Sequence, residues 1–147
     1  MQQRFETFTV LINRISRNIR KIKNQEMAQY NLRSAHISCL YYLYSNQGST
    51  ATELCERCEE DKATISRALE FLIENGFVDS QLNSGRKYKK PILLTEKGKE
   101  AGKKIFDKVN CVLSEVGNGL NDEERSDLYK HLTVISDNLE KVTNSLA

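Results

Sequence analysis

Cysteines, histidines and clustered basic residues are the side chains here with chemistry to offer, and their spacing decides what kind. Cys55 and Cys58 form a C-x-x-C pair, the unit of thiolate metal sites and of dithiol redox centres. A closed metal site needs a second ligand pair, and none lies nearby in the sequence. His36 and Cys39 are three residues apart, one helical turn, and could ligate a metal from one face, but no further His or Cys converges on them. In a chain without a secretion signal, Cys39, Cys55, Cys58 and Cys111 are not expected to form a disulfide framework. Packing is the expected role: Cys55 at the tight crossing of two helices, Cys58 on the face of Leu54. His131 is expected to be exposed. No nucleophile–base pair, glycine-rich phosphate loop or catalytic carboxylate pair occurs. An enzyme, a cofactor and a bound metal are therefore not expected.

The basic residues point elsewhere. Net charge is only +2, so any affinity for polyanions must come from where the charge sits. Between Gln81 and Lys104 there are eight Lys/Arg against two acids, whereas Asp122 to Asp127 holds four acids and one arginine. Arg86, Lys87, Lys89 and Lys90 surround Tyr88, a pattern suited to tracking phosphates from a narrow hairpin. Upstream, a helix from Asp61 to about Asn75 would turn Ile65, Leu69 and Leu72 inward and Ala63 and Arg67 outward. Thr64 and Ser66 flank that outer side and Lys62 stands at its N-terminal end. Small residues permit close approach, and Thr64, Ser66 and Arg67 offer hydrogen bonds to bases or phosphates. Glu59 and Glu60, beside this helix start, are not explained by contact with phosphates.

These residues need elements to position them. Thr50 and Glu53 have capping-box spacing and open a short helix through Cys58; Asp61 caps the next, and Asn75-Gly76 ends it. A preceding helix is expected from about Ser34 to Ser45. Phe77 to Leu82 and Lys87 to Leu94 read as strands around the turn Asn83-Ser84-Gly85-Arg86, with Pro91 confining the second to an edge. A further helix runs from Thr95 to Val116, ended by Gly117-Asn118-Gly119. The order is helix, helix, tight turn, helix, hairpin, helix: a winged helix-turn-helix, mainly α with a small β-hairpin wing. Around it, Phe5, Phe8, Ile12, Ile15, Ile19 and Ile22 step by threes and fours, as do Leu128, Leu132, Ile135, Leu139, Val142 and Leu146. Both ends are long amphipathic helices, the last capped by Asn121 and Glu124. Their seams fit either an intramolecular bundle or a second copy. The small central core favours the second copy.

At 147 residues, 39% apolar and 29% charged, the chain is of one-domain size and ordered composition. The longest uncharged stretch, Ser34 to Thr52, is too polar to lie in lipid, and the first residues lack a signal-type apolar run. A cytoplasmic protein without membrane contact is expected.

The segments Thr50-Ala51-Thr52-Glu53-Leu54-Cys55-Glu56-Arg57 and Asp61-Lys62-Ala63-Thr64-Ile65-Ser66-Arg67 resemble the two motif helices of the MarR family of bacterial transcriptional regulators. Leu72-Ile73-Glu74-Asn75-Gly76-Phe77-Val78 and Leu94-Thr95-Glu96-Lys97-Gly98 resemble its entry to and exit from the wing. The resemblance implies one domain over 1–147, with 31–97 as the DNA-binding part and 1–30 and 98–147 as dimerisation helices. It further implies a homodimer on an inverted-repeat operator in double-stranded DNA, and repression released by a small-molecule effector. Tyr30, His36, Cys39 and Tyr42 fall where the family's ligand cleft lies. Counting back from Leu94-Thr95, the arginine of the family's wing Asp-x-Arg falls on Tyr88 and its aspartate on Arg86, which leaves its work to Arg86 or Lys87. The family's oxidation sensors use a cysteine in the first helix, and none precedes Cys39. The expected DNA-contacting set is Lys62, Ala63, Thr64, Ser66, Arg67, Arg86, Lys87 and Lys89. Two other readings remain: a winged-helix module for protein contacts, and a metal or redox sensor using His36 and the cysteines.

Overall fold

The structure is a computed structural model that describes residues 2–79 and 89–147. Contacts divide the chain into two units, Met1–Lys108 and Val109–Ala147.

The first unit begins with Gln2–Phe5 (α1), a π-helical segment Glu6–Leu11, and Ile12–Glu26 (α2). The 3–4 spacing predicts an uninterrupted α-helix here, and the π-helical segment corrects that expectation. The Thr7 hydroxyl donates to the Gln3 carbonyl, four residues back, at 2.8 Å. A hydroxyl that competes for this carbonyl weakens the α ladder where the wider turn starts. Phe8, Ile12, Ile15 and Ile19 are all exposed.

A 3-10 turn, Ala28–Tyr30, leads to Ser34–Ser45 (α3), which buries Ile37, Cys39, Leu40 and Leu43. Next comes Ala51–Cys58 (α4), eight residues and too short to persist alone. Its start is fixed reciprocally: the Glu53 amide donates to Thr50 Oγ1 at 3.3 Å and the Thr50 amide to Glu53 Oε2 at 2.8 Å. It ends at Glu59, which adopts the left-handed conformation at φ 52°. Lys62–Glu74 (α5) follows at once, capped by Asp61, whose carboxylate accepts from the Thr64 amide at 2.6 Å. Gly76, at φ 76°, reverses the chain where a side chain would be strained. α5 packs on α3 and α4 through Ile65, Ala68, Leu69 and Leu72. Together with Leu40, Leu43, Leu54, Phe77, Ile92 and Ile105 these form the core; each large side chain so buried contributes about 1.5–3 kcal/mol.

After α5 the backbone pairs antiparallel at Val78 and Leu94. The Asp79 amide donates to Leu93 at 2.9 Å and the Thr95 amide to Phe77 at 3.1 Å. This is the root of the expected hairpin; its turn, Asn83 to Arg86, lies outside the described residues. Lys89 and Lys90 form a turn and a bend instead of the expected strand, beside Pro91, which brings no amide to a ladder. The Ile92 amide pairs instead with the Ser49 carbonyl at 2.9 Å. Glu96–Val116 (α6) then begins. A Cβ on Gly98 would overlap the Phe77 carbonyl oxygen, and one on Gly102 would press on Tyr44 Cβ, so both positions require glycine for α6 to seat.

In the second unit, the end of α6 is followed by a turn with Gly119 at φ 91° and by Asp122–Ser145 (α7). Asn121 and Glu124 cap α7 reciprocally at 2.8 and 2.9 Å. Leu128, Leu132, Leu139, Val142 and Leu146 are exposed. Among the described residues no helix is long and apolar enough to cross a membrane.

Candidate nucleic-acid interface

Two faces of α5 have opposite chemistry. Ile65, Ala68, Leu69 and Leu72 are buried, while Lys62, Ala63 and Arg67 are exposed and Thr64 and Ser66 half-buried. The five polar or small candidates thus occupy the first two turns of the helix, on the side away from the core. Arg67 Nη2 approaches Thr64 Oγ1 at 3.5 Å, which inclines the guanidinium toward the helix start. The Thr64 amide holds the Asp61 carboxyl below its ordinary range, so the cap remains an anion there. Glu59 acquires a backbone role: its amide and that of Glu60 return to Glu56 and Cys55 carbonyls at 3.4 and 3.1 Å, closing the turn between the motif helices.

Lys89 is exposed, as is Lys90. Arg86 and Lys87 lie outside the described residues. The sequence reading missed two residues that hold the far end of α5. The Thr95 hydroxyl donates to the Gly76 carbonyl at 2.6 Å, and Lys97 Nζ donates to that of Asn75 at 2.7 Å. The Thr-x-x-Gly spacing of Thr95 and Gly98 signals a helix cap, but nothing local signals partners about twenty residues away.

The four candidate effector residues meet different partners. The Tyr30 hydroxyl accepts from Lys104 Nζ of α6 at 2.9 Å. The His36 ring stacks on Phe71 of α5, centroids 4.1 Å apart, and its Nδ1 accepts from the Arg33 amide at 3.0 Å. Burial first, and the Arg33 charge second, hold His36 below its ordinary pKa, so the ring stays neutral. Cys39 is wholly buried, and the neighbouring Cys58 thiol, then burial, push its thiol pKa up while the same neighbour relation lowers that of Cys58. Burial likewise raises the Tyr42 phenol, which also lies near Cys58. A surface cavity of about 580 Å³ is lined by Tyr44, Glu96, Lys97, Lys99, Glu100 and Lys103, and includes none of the four.

α4 buries Ala51 and Leu54, at 2% and 0% exposure, and Cys55 is only half-buried. Cys55 stands one helical turn from the buried Ala51. Among the described residues no group of three or more His, Cys, Asp or Glu is arranged to hold a metal ion.

Known proteins match this geometry. A family model described as "F-93, winged-helix domain" matches residues 38–98. The HTH-type transcriptional regulator BilQ of Clostridioides difficile (strain CD3) is 23% identical over 136 residues, 90% of each chain. The HTH-type transcriptional regulator YybA of Bacillus subtilis (strain 168) is 25% identical over 130 residues, 88% of this chain and 87% of that one. Among solved structures, a MarR family regulator from Neisseria meningitidis superposes with a TM-score of 0.81 at 20% identity, covering 98% of this chain and 99% of the other. A MarR family transcriptional regulator from Listeria monocytogenes, solved with a 26mer DNA, gives 0.75 at 26% identity, covering 87% and 85%. A Staphylococcus aureus MarR solved with salicylate and kanamycin gives 0.74 at 22%, covering 95% and 92%. End-to-end likeness to these regulators, a winged-helix core and a helix α5 with opposed faces agree: the chain has the MarR-type winged-helix fold and is similar along its length to DNA-binding transcriptional regulators of that family.

Proposed function

We propose that the protein binds an inverted-repeat operator as a homodimer, reads it with the first two turns of α5, and is released as a repressor by a small molecule. The observation that carries this is the division of α5, with Lys62, Ala63 and Arg67 exposed opposite a fully apolar buried side. A helix so divided, ending a short capped helix and a tight turn, fits a major groove with its N-terminal residues at the base edges. Arg67 suits bidentate contact to guanine, Thr64 and Ser66 offer hydroxyls, and Lys62 reaches phosphate. Arg86, Lys87 and Lys89 contact phosphates beside the groove. Residues 31–97 act as the DNA-binding part, and 1–30 and 98–147 as the dimerisation helices.

Support for DNA as partner comes from the Listeria regulator with its 26mer DNA, and for an effector from the Staphylococcus protein with salicylate and kanamycin. Tyr30, His36, Cys39 and Tyr42 are the proposed effector contacts. His36 is the best placed, because its ring lies against Phe71 of the reading helix itself. The decisive experiment compares Arg67→Ala with the parent on the cognate and a scrambled duplex. A loss of about 1–3 kcal/mol on the cognate site alone is expected for a base contact. Unchanged affinity for both duplexes would remove α5 as the reading helix.

A further inference from the structure

We propose that Lys97 and Thr95 are positioning residues for the reading helix: they lock the C-terminal end of α5 to the start of α6 and so fix the angle at which α5 meets DNA. This rests on α5 being the operator-reading helix. The last carbonyls of a helix have no partners within it and carry its negative dipole end. Here the C-cap carbonyl of Asn75 and the carbonyl of Gly76, one residue beyond it, accept from side chains about twenty residues further on: Lys97 Nζ at 2.7 Å and Thr95 Oγ1 at 2.6 Å. The single Thr95 hydroxyl works in both directions, since it also accepts from the Gly98 amide at 3.1 Å and thereby caps α6. Lys97 Nζ stands 4.3 Å from the centroid of the Phe77 ring, a cation–π contact to a side chain only 2% exposed. The Thr95 amide donates to the Phe77 carbonyl at 3.1 Å, and Gly98 leaves that carbonyl room. Polar, cationic and backbone contacts therefore converge on one joint.

The joint lies far from the residues it positions. Lys62 and Asn75 are 13 residues apart, roughly 20 Å along a helix, so a tilt of about 5° at Asn75 moves the reading end by nearly 2 Å by the same geometry. Hydrogen bonds to bases do not survive such a shift. Lys97 would thus act on recognition without touching DNA.

The test uses Lys97→Met, which keeps the aliphatic stem over Phe77 and removes the donor and charge, with Lys97→Arg and Thr95→Ser as conservative partners. Thermal unfolding shows that each is folded. Affinities for a cognate and a scrambled duplex are then measured across salt concentrations. For Lys97→Met a loss of about tenfold on the cognate duplex is expected, with the scrambled duplex and the log–log salt slope unchanged; Lys97→Arg and Thr95→Ser should bind like the parent. Weakening of both duplexes with a slope reduced by about one would make Lys97 a phosphate contact and overturn the proposal. Unchanged cognate affinity in Lys97→Met, where Arg67→Ala is weakened, would overturn it and leave α5 as the reader. If Arg67→Ala is also silent, both fall together.

Discussion

His36 joins two elements through a neutral ring. It accepts a backbone amide at the start of α3, which requires an unprotonated Nδ1, and stacks on Phe71 of α5. Its folded pKa lies below the ordinary 6.5, first through burial and then through Arg33. The unfolded chain therefore takes up the proton more readily. The stability that neutral His36 contributes is complete above about pH 6.5 and is lost as pH falls from there toward the folded pKa. The melting temperature should accordingly fall between about pH 7 and pH 5, and fall less in His36→Asn, which keeps an acceptor and cannot titrate. Equal slopes in the two proteins would show that His36 does not carry the effect. The sequence placed His36 one turn from Cys39 but could not show what each meets. His36 finds Phe71, 35 positions on, and Cys39 finds Cys58, partners that only tertiary packing supplies.

The helix starts were the most legible features because their signals are local. Thr50 with Glu53, Asp61 with Thr64, and Asn121 with Glu124 each cap a helix within three residues, and Gly76 supplies the left-handed turn. The sequence was silent where a residue acts against its type. Glu59 stands in the left-handed conformation at the end of α4, a place that favours glycine by about 1 kcal/mol. Glu59→Gly should therefore stabilise the protein by about 1 kcal/mol against urea. Removing this carboxylate beside α5 should also strengthen binding to any duplex at low salt. A destabilised variant would mean that the Glu59 side chain has a role its backbone does not reveal. The π-helical segment was hidden for a related reason: six π-helical residues barely disturb a 3–4 pattern, and only the Thr7 hydroxyl bond marks them.

At the scale of the molecule, the regular seams of the terminal helices were plain in the sequence and stand uncovered in the single chain. Ile15 and Ile19 are 51% exposed, Leu132 44% and Leu139 49%, more apolar surface than a lone helix profitably leaves in water. Leu132→Asp with Leu139→Asp should yield a monomer by sedimentation and abolish tight operator binding, because two reading helices hold their spacing only when joined. A monomer with full operator affinity would refute operator binding as a homodimer. The antiparallel pairing of Val78 with Leu94 has a different kind of consequence. The Val78–Leu94 bridge and the Thr95–Gly76 bond close the chain into a ring at its base, so changes in the intervening sequence need not be felt by α5. Lengthening that stretch should cost mainly loop-closure entropy, about 0.6 kcal/mol per doubling. Under the proposed function, evolution, or an engineer changing the basic residues of that stretch, can then alter the protein's affinity for phosphates while the bases met by α5 stay the same.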